Sequence, residues 1–323
     1  MFIALKLIFV NNTNLDSSLS PIEVEVFSNI SSRLMGHQLA LRNIKTLNAI
    51  YKIKSIEIPS DLYLLKNLIH EYFPSMEVTV TNTRVVIQKS MVDKSHLQKH
   101  SQCIDLMMGS NEHTTSSIRI PVNSIIYINT KDELIIDEIK YPWDFLKSVQ
   151  KILEREVTST RISPRVKLSK TSIIEGPCII EEGVVLDDFC KIKGPAYIGR
   201  NSFIGMGSLV RNSILEQNTR IGFNCEISKS YFAGNDKISH HNVILDTIVG
   251  QNVWFGGYTG TANVLLDRRN IKYKINDTLV DTGTDHFGSV IGNNCCIGAS
   301  VIILPGRKIL PDSQIQAGTI IKS

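Results

Sequence analysis

The sequence predicts a two-part chain: an α/β domain over residues 1–158 and an all-β parallel β-helix over residues 165–323. Three observations carry this. Aliphatic residues recur every six positions through the second half, strand-like and helix-like segments alternate through the first, and the polar, Pro-containing "TSTRISP" near Thr158–Pro164 separates the two. A length of 323 residues also exceeds the commonest single-domain size.

In chain order, "MFIALKLIFV" reads as a buried first strand, because its apolar run is about half of what crosses a bilayer and it lacks a basic leader and a small-residue cleavage site. A cytoplasmic protein with no membrane partner is the expectation. "IKSIEIP", a helical "SDLYLLKNLIHEYF" and the strand "MEVTVTN" follow, then "SIIYIN" and a helix through "DFLKSVQKILERE", the alternation of an α/β layer. The stretch "QKHSQCIDLMMGSNEHTTSS" shows no periodicity and reads as a loop.

The hexads start at Ile174 and continue through Ile180, Leu186, Ile192, Ile198, Ile204 and Val210. Leu215–Ile221–Ile227 and Val249–Phe255 are shorter pieces in phase, and Ile291, Ile297, Ile303, Ile309, Ile315 and Ile321 form a second long run. A strict period of six fits neither a helix face nor an isolated strand. It describes short strands joined by tight corners, one aliphatic pointing inward per hexad and a small fifth residue at the corner, with coils that bury their aliphatics by stacking.

Cys178, Cys190, Cys225 and Cys295 all fall at that fifth position, Cys103 and Cys296 do not, and no CxxC pair exists among the six cysteines. They read as small apolar residues rather than metal ligands, so no metal is implied. A net charge of +4 with 20% charged residues suits a small anionic ligand but lacks the concentrated basic footprint of a nucleic-acid partner.

The joint "KYPWDFLKSVQKILEREV" running into hexads, with "IGMGSLVRNS", "IGFNCEIS", "KISHHN", "GQNVWFGGYTGTANVLLD" and "IGASVIILPGRKI", resembles the archaeal bifunctional sugar-1-phosphate nucleotidyltransferase/glucosamine-1-phosphate N-acetyltransferase family. The resemblance covers residues 165–323 well and 1–160 loosely. It implies a left-handed β-helix acyltransferase that forms a homotrimer and acetylates an amino-sugar 1-phosphate with acetyl-CoA as co-substrate, within nucleotide-sugar biosynthesis. It also implies a truncated, degenerate nucleotidyltransferase-like domain ahead of the β-helix. In that family a Gly-rich loop after the first strand cradles the nucleoside triphosphate. Here "NNTNLDSSLSPIEVEVFSN" holds no Gly, Arg or Lys, which speaks against nucleotidyl transfer.

Matched residue by residue, the resemblance gives His240 the place of the catalytic base and Arg211 that of the sugar-phosphate clamp. It puts Asn263 beside the acetyl group, Arg269 and Lys272 at cationic substrate-binding positions, and Gly257 and Ala299 along the cofactor. The chemistry suits these types: imidazole exchanges protons near neutral pH and guanidinium grips phosphate with a planar fork. The chain departs from the pattern at Val243, where the family has Tyr, at Trp254 and Tyr258 in the Gly-rich coil, and at Ser228 with Lys229 beside it, where the family has Lys. These departures leave the acceptor, and N- versus O-acetylation, open. They also leave open two other readings: a non-catalytic trimeric β-helix subunit partnering a nucleotidyltransferase, and a residual nucleotidyltransferase.

Overall fold

The structure, a computed structural model, describes residues 5–10, 33–35, 37–51, 53–59, 64–81, 105–107, 116–121, 124–128, 134–275 and 277–322. The Gly-free segment after the first strand and Cys103 lie outside the described residues.

The N-terminal unit is built on a five-stranded sheet. Leu5–Val10 runs parallel to Ile53–Pro59 on one side and to Ser116–Pro121 on the other. Glu77–Thr81 extends one edge in parallel, and Asp105–Met107 closes the other antiparallel, Asp105 opposite Arg119. The helix Leu64–Tyr72 lies within the expected helical stretch, the helix Leu39–Tyr51 is one the sequence reading did not give, and Ile44, Leu47, Ile56 and Ile69 are buried. Two expectations change. The stretch read as an unbroken loop contributes Asp105–Met107 and the start of Ser116–Pro121, the former too short to show a period. The strand Ser124–Ile128 pairs antiparallel with Leu134–Glu138 in a separate hairpin instead of extending the alternation.

The second unit is a parallel β-solenoid. Three eight-stranded sheets form its faces, and each coil contributes one short strand to each face. The first face runs from Arg161–Ile162 to Arg307–Ile309, the second from Lys167–Leu168 to Gln314–Ile315, and the third from Ile173–Glu175 to Ile320–Ile321. Coil partners lie eighteen residues apart early (Ile179↔Tyr197) and seventeen apart in the middle (Tyr197↔Ile214, Ile214↔Tyr231, Tyr231↔Ile248). The lost residue falls at the third-to-first corner, which is why the sequence phase slips between Val210 and Leu215. Every aliphatic of the hexad runs from Ile180 to Ile309 sits in one continuous core, together with Cys178, Cys190, Cys225 and Cys295. Burial pushes the Cys178 and Cys190 thiols up to about 11.

The fifth position does more than leave room. Its side chain accepts the backbone N–H of the residue stacked on it one coil later. Ser208 Oγ takes Cys225 N at 2.9 Å and Asn242 Oδ1 takes Thr259 N at 2.6 Å, while Ser230, the fourth residue of a shortened five-residue leg, takes Thr247 N through Oγ at 3.1 Å. These amides are buried at corners, outside the sheet ladders, so a small polar acceptor satisfies a donor that is costly to leave unpaired. Asp236 performs the same task for Val253 N at 2.9 Å, and full burial drives its carboxyl well above the usual carboxylate range.

The helix Pro142–Glu156, expected with the N-terminal domain, belongs instead to the compact unit that runs from Lys140, so the domain boundary lies ahead of the helix rather than near Thr158. Its buried stripe of Phe145, Leu146, Val149, Ile152 and Leu153 needs an apolar surface, and the first face offers one in Tyr197, Ile214, Tyr231 and Ile248. Phe145 meets Tyr231 edge-on at 4.9 Å, and Gln150 Nε2 donates to Asn212 O at 3.0 Å. Among the described residues no helix is long and apolar enough to cross a membrane.

Candidate functional site

The sequence-predicted residues divide between the two ends of the third face. At the second-to-third corner, His240, Gly257 and Ala299 form one column: Tyr258 N donates to His240 O at 3.0 Å and Ser300 N to Gly257 O at 2.8 Å. A Cβ at Gly257 would meet only His240 O, at 3.3 Å, so this glycine leaves the column shallow. His240 is exposed, and its Nδ1 accepts the Phe223 N–H at 2.9 Å. A backbone amide only donates, so the neutral ring carries its own proton on Nε2 and presents a donor there. Taking a proton through Nε2, as a base would, requires this ring to give up the Phe223 bond.

His241 occupies the left-handed corner position (φ 57), which favours Gly or Asn, and Tyr258 takes the same position one coil later (φ 60). Their rings stack at 4.8 Å, and Phe223 meets His241 edge-on at 5.1 Å. Tyr258 and Trp254 are exposed, on the corner and on the second face, so neither bulky substitution enters the core.

The third-to-first corner carries Arg211 and Asn263 on different coils, with several residues the sequence reading passed over. Asn263 Nδ2 donates to Asp246 Oδ2 at 2.5 Å. Asp246 is buried, and desolvation raises its carboxyl above the ordinary range against the opposing pull of the Asn263 bond and of Lys229, His286 and Arg211. Phe287 N donates to Asn263 O at 2.9 Å and Gly288 N to Asp246 O at 2.8 Å, so the His286–Gly288 segment lies directly against this pair. His286 Nδ1 in turn meets Asp285 Oδ1 at 2.8 Å. Arg211 is held by Glu226, through Nε at 3.2 Å and Nη2 at 2.8 Å.

Between Thr261 and Ser289 the coil spacing widens to 42 residues (Ile248↔Val290), the insertion expected from the break in hexads. It carries the hairpin Lys272–Ile275/Thr278–Asp281 and both expected loop cations. Arg269 is exposed and paired with Asp267 at 2.6 Å, and Lys272 is exposed on the hairpin. Neither joins Asn263 or Arg211 in a bonded cluster. Tyr273 and Phe287 pack with Trp143 of the helix at ring distances of 5.8 and 6.1 Å, an aromatic knot that fixes the insertion beside Asn263.

Asp246, His286 and Glu226 were the residues missed. Asp246 was discoverable, as a carboxylate between apolar hexads in "VILDTIVG". Glu226 follows from the coil period, since it stands one coil beyond Arg211's own strand. Among the described residues no group of three or more His, Cys, Asp or Glu could hold a metal ion.

Residues 177–212 match the bacterial transferase hexapeptide (six repeats) model. Over 188 residues the chain is 34% identical to the bifunctional protein GlmU of Methanococcus aeolicus, covering 58% of this chain and 44% of that one. Over 187 residues it is 30% identical to the bifunctional sugar-1-phosphate nucleotidylyltransferase/acetyltransferase of Sulfurisphaera tokodaii, covering 57% and 45%. It is 28% identical over 162 residues to the uncharacterized acetyltransferase YaiX of Escherichia coli O6:K15:H31, covering 44% of this chain and 69% of that one. The chain spans less than half the length of the archaeal relatives it matches. Its C-terminal portion therefore carries the transferase hexapeptide repeat and is homologous to archaeal bifunctional sugar-1-phosphate nucleotidyltransferase/acetyltransferases of the GlmU type.

Proposed function

We propose that the solenoid transfers an acetyl group from acetyl-CoA to the amine of an amino-sugar 1-phosphate, glucosamine-1-phosphate first among acceptors. The observation that carries this reading is the third face: His240, Gly257 and Ala299 line one end, Arg211 and Asn263 stand at the other, and the intervening strand Val243–Leu245 leaves Val243 exposed. The first end offers a shallow column for the acyl donor. The second offers a guanidinium for phosphate and an amide to position the acceptor, and holding both substrates in attack geometry supplies much of the rate. Arg269 and Lys272 add positive charge on the insertion.

The assembly in this reading is a cytoplasmic homotrimer. Phe189, Met206, Phe223 and Tyr258 expose apolar surface along the second-to-third corner, which suits a subunit contact. Solution mass tests the trimer, and a stable monomer that still turns over contradicts it.

A second reading draws on Arg211, whose fork is already engaged by Glu226: a solenoid that binds a partner nucleotidyltransferase and catalyses nothing. Thiol release from acetyl-CoA decides between them. Release that needs glucosamine-1-phosphate or galactosamine-1-phosphate and collapses in His240→Ala supports acetyl transfer. Folded protein that neither binds acetyl-CoA nor releases thiol supports the partner subunit.

A further inference from the structure

We propose that Asp246 is a positioning residue for the acceptor: it holds Nδ2 of Asn263 and so leaves that amide's Oδ1 to accept an N–H of the substrate amine. The inference rests on the acetyltransferase reading above. An asparagine amide can show a substrate either of two groups. Oδ1 takes an amine N–H, whereas Nδ2 gives a hydrogen bond to a thioester carbonyl. Asn263 Nδ2 donates to Asp246 Oδ2 at 2.5 Å, and among the described residues no group donates to its Oδ1. A carboxylate only accepts, so Asp246 admits the amide in this orientation and excludes the flipped one.

The corner itself does not ask for a carboxylate. Asn212 and Lys229 hold the same place in the two preceding coils, with φ of 49 and 47 beside 45 at Asp246. Their amides make the equivalent bond: Asn212 N to Lys193 O at 3.2 Å, Lys229 N to Arg211 O at 3.1 Å and Asp246 N to Ser228 O at 3.0 Å. An amide or an ammonium side chain therefore serves the turn, yet a buried carboxyl stands under Asn263. Burial works against its charge, while the Asn263 bond and then Lys229, His286 and Arg211 work for it. That desolvation is accounted for by what the carboxylate does to Asn263.

The backbone around the pair is fixed. Phe287 N donates to Asn263 O at 2.9 Å and Gly288 N to Asp246 O at 2.8 Å, and a Cβ on Gly288 would fall 2.1 Å from Leu245 O, so this segment closes tightly against the corner. What Asn263 shows a substrate then depends on the turn of its own side chain, which Asp246 sets.

The test titrates glucosamine-1-phosphate and 2-deoxyglucose-1-phosphate, which lacks the amine, into the full chain by calorimetry. Wild type should bind the amine sugar about tenfold more tightly, the worth of one hydrogen bond from a charged amine. Asp246→Asn can pair Asn263 in either orientation and should lose most of that preference, with unchanged affinity for 2-deoxyglucose-1-phosphate and acetyl-CoA. Asn212 already holds this corner, so the variant should fold, and Asp246→Ser with the same expectation replaces it if it does not. Asn263→Ala should lose the preference to the same extent, and the double variant should lose no more, because one residue acts through the other. Wild type that binds both sugars alike overturns the positioning role. So does an Asp246 or Asn263 variant that keeps the preference, an Asp246 variant that weakens both sugars equally, or a double variant that falls below Asn263→Ala. Each of these leaves the acetyltransferase reading standing. Wild type that binds neither sugar overturns both.

Discussion

Phe223→Pro tests the tautomer of His240 directly. The substitution removes the one N–H that bonds His240 Nδ1. Proline is accommodated at the equivalent step of the other two corners, where Pro305 and Pro311 stand two residues after the inward Ile303 and Ile309. Proline also fixes a φ close to that of many turn positions. The lost bond has a net worth of about 1 kcal/mol, which corresponds to roughly a fivefold change in the balance between the two neutral tautomers. Phe223→Ala serves as control: it keeps the amide and removes only the ring that meets His241 at 5.1 Å. The assay is the 15N shift of the two ring nitrogens at a pH where the ring is neutral. Wild type and Phe223→Ala should show Nδ1 unprotonated and Nε2 protonated, and Phe223→Pro should show averaged shifts as Nδ1–H becomes populated. Nδ1 protonated in wild type, or a proline variant indistinguishable from it, rules out the Phe223 amide as the group that sets the tautomer.

Further predictions concern the solenoid itself. Ser230→Ala orphans the buried Thr247 N–H and should cost about 1–3 kcal/mol in denaturant unfolding, whereas Ser230→Thr keeps an oxygen in place and should recover most of it. Ile244→Ala, at a fully buried inward position, should cost about 2–5 kcal/mol by the same measurement. Asp236 binds its proton more tightly folded than unfolded, so the stability it contributes is present at acid pH and is lost as pH rises. Asp236→Asn should therefore gain on wild type between pH 4 and pH 8, and a gap that does not move with pH contradicts the assignment. Of the five described cysteines only Cys296 is exposed, so a thiol reagent on native protein should label Cys296 and spare Cys178, Cys190, Cys225 and Cys295 until unfolding.

The solenoid was legible because its physics repeats. Each inward aliphatic faces the same environment as its neighbours one coil away, so a period of six survives in the sequence and even the shortened corners appear as slips, as at Val210–Leu215. The helix was legible as a helix but not as a part of the solenoid unit, since an apolar stripe states that it must be covered and not by what. Tyr231, which meets Phe145 of the helix, reads as an ordinary strand residue. His240 was found by motif, yet its tautomer depends on Phe223, seventeen residues away, a distance that becomes meaningful only once the coil length is known. The approach of Phe287 and Gly288 to Asn263 and Asp246 left no signal, because it comes from a loop returning after an insertion without any period.

The reaction proposed for the solenoid is acetylation of an amine. The most direct measurement is coenzyme release by the wild-type protein with glucosamine-1-phosphate beside N-acetylglucosamine-1-phosphate, followed by NMR of the sugar product. Release with the free amine alone, and a product carrying one new amide, is the expected result. Equal release with the amine-blocked sugar, or a product acetylated on oxygen, would contradict it.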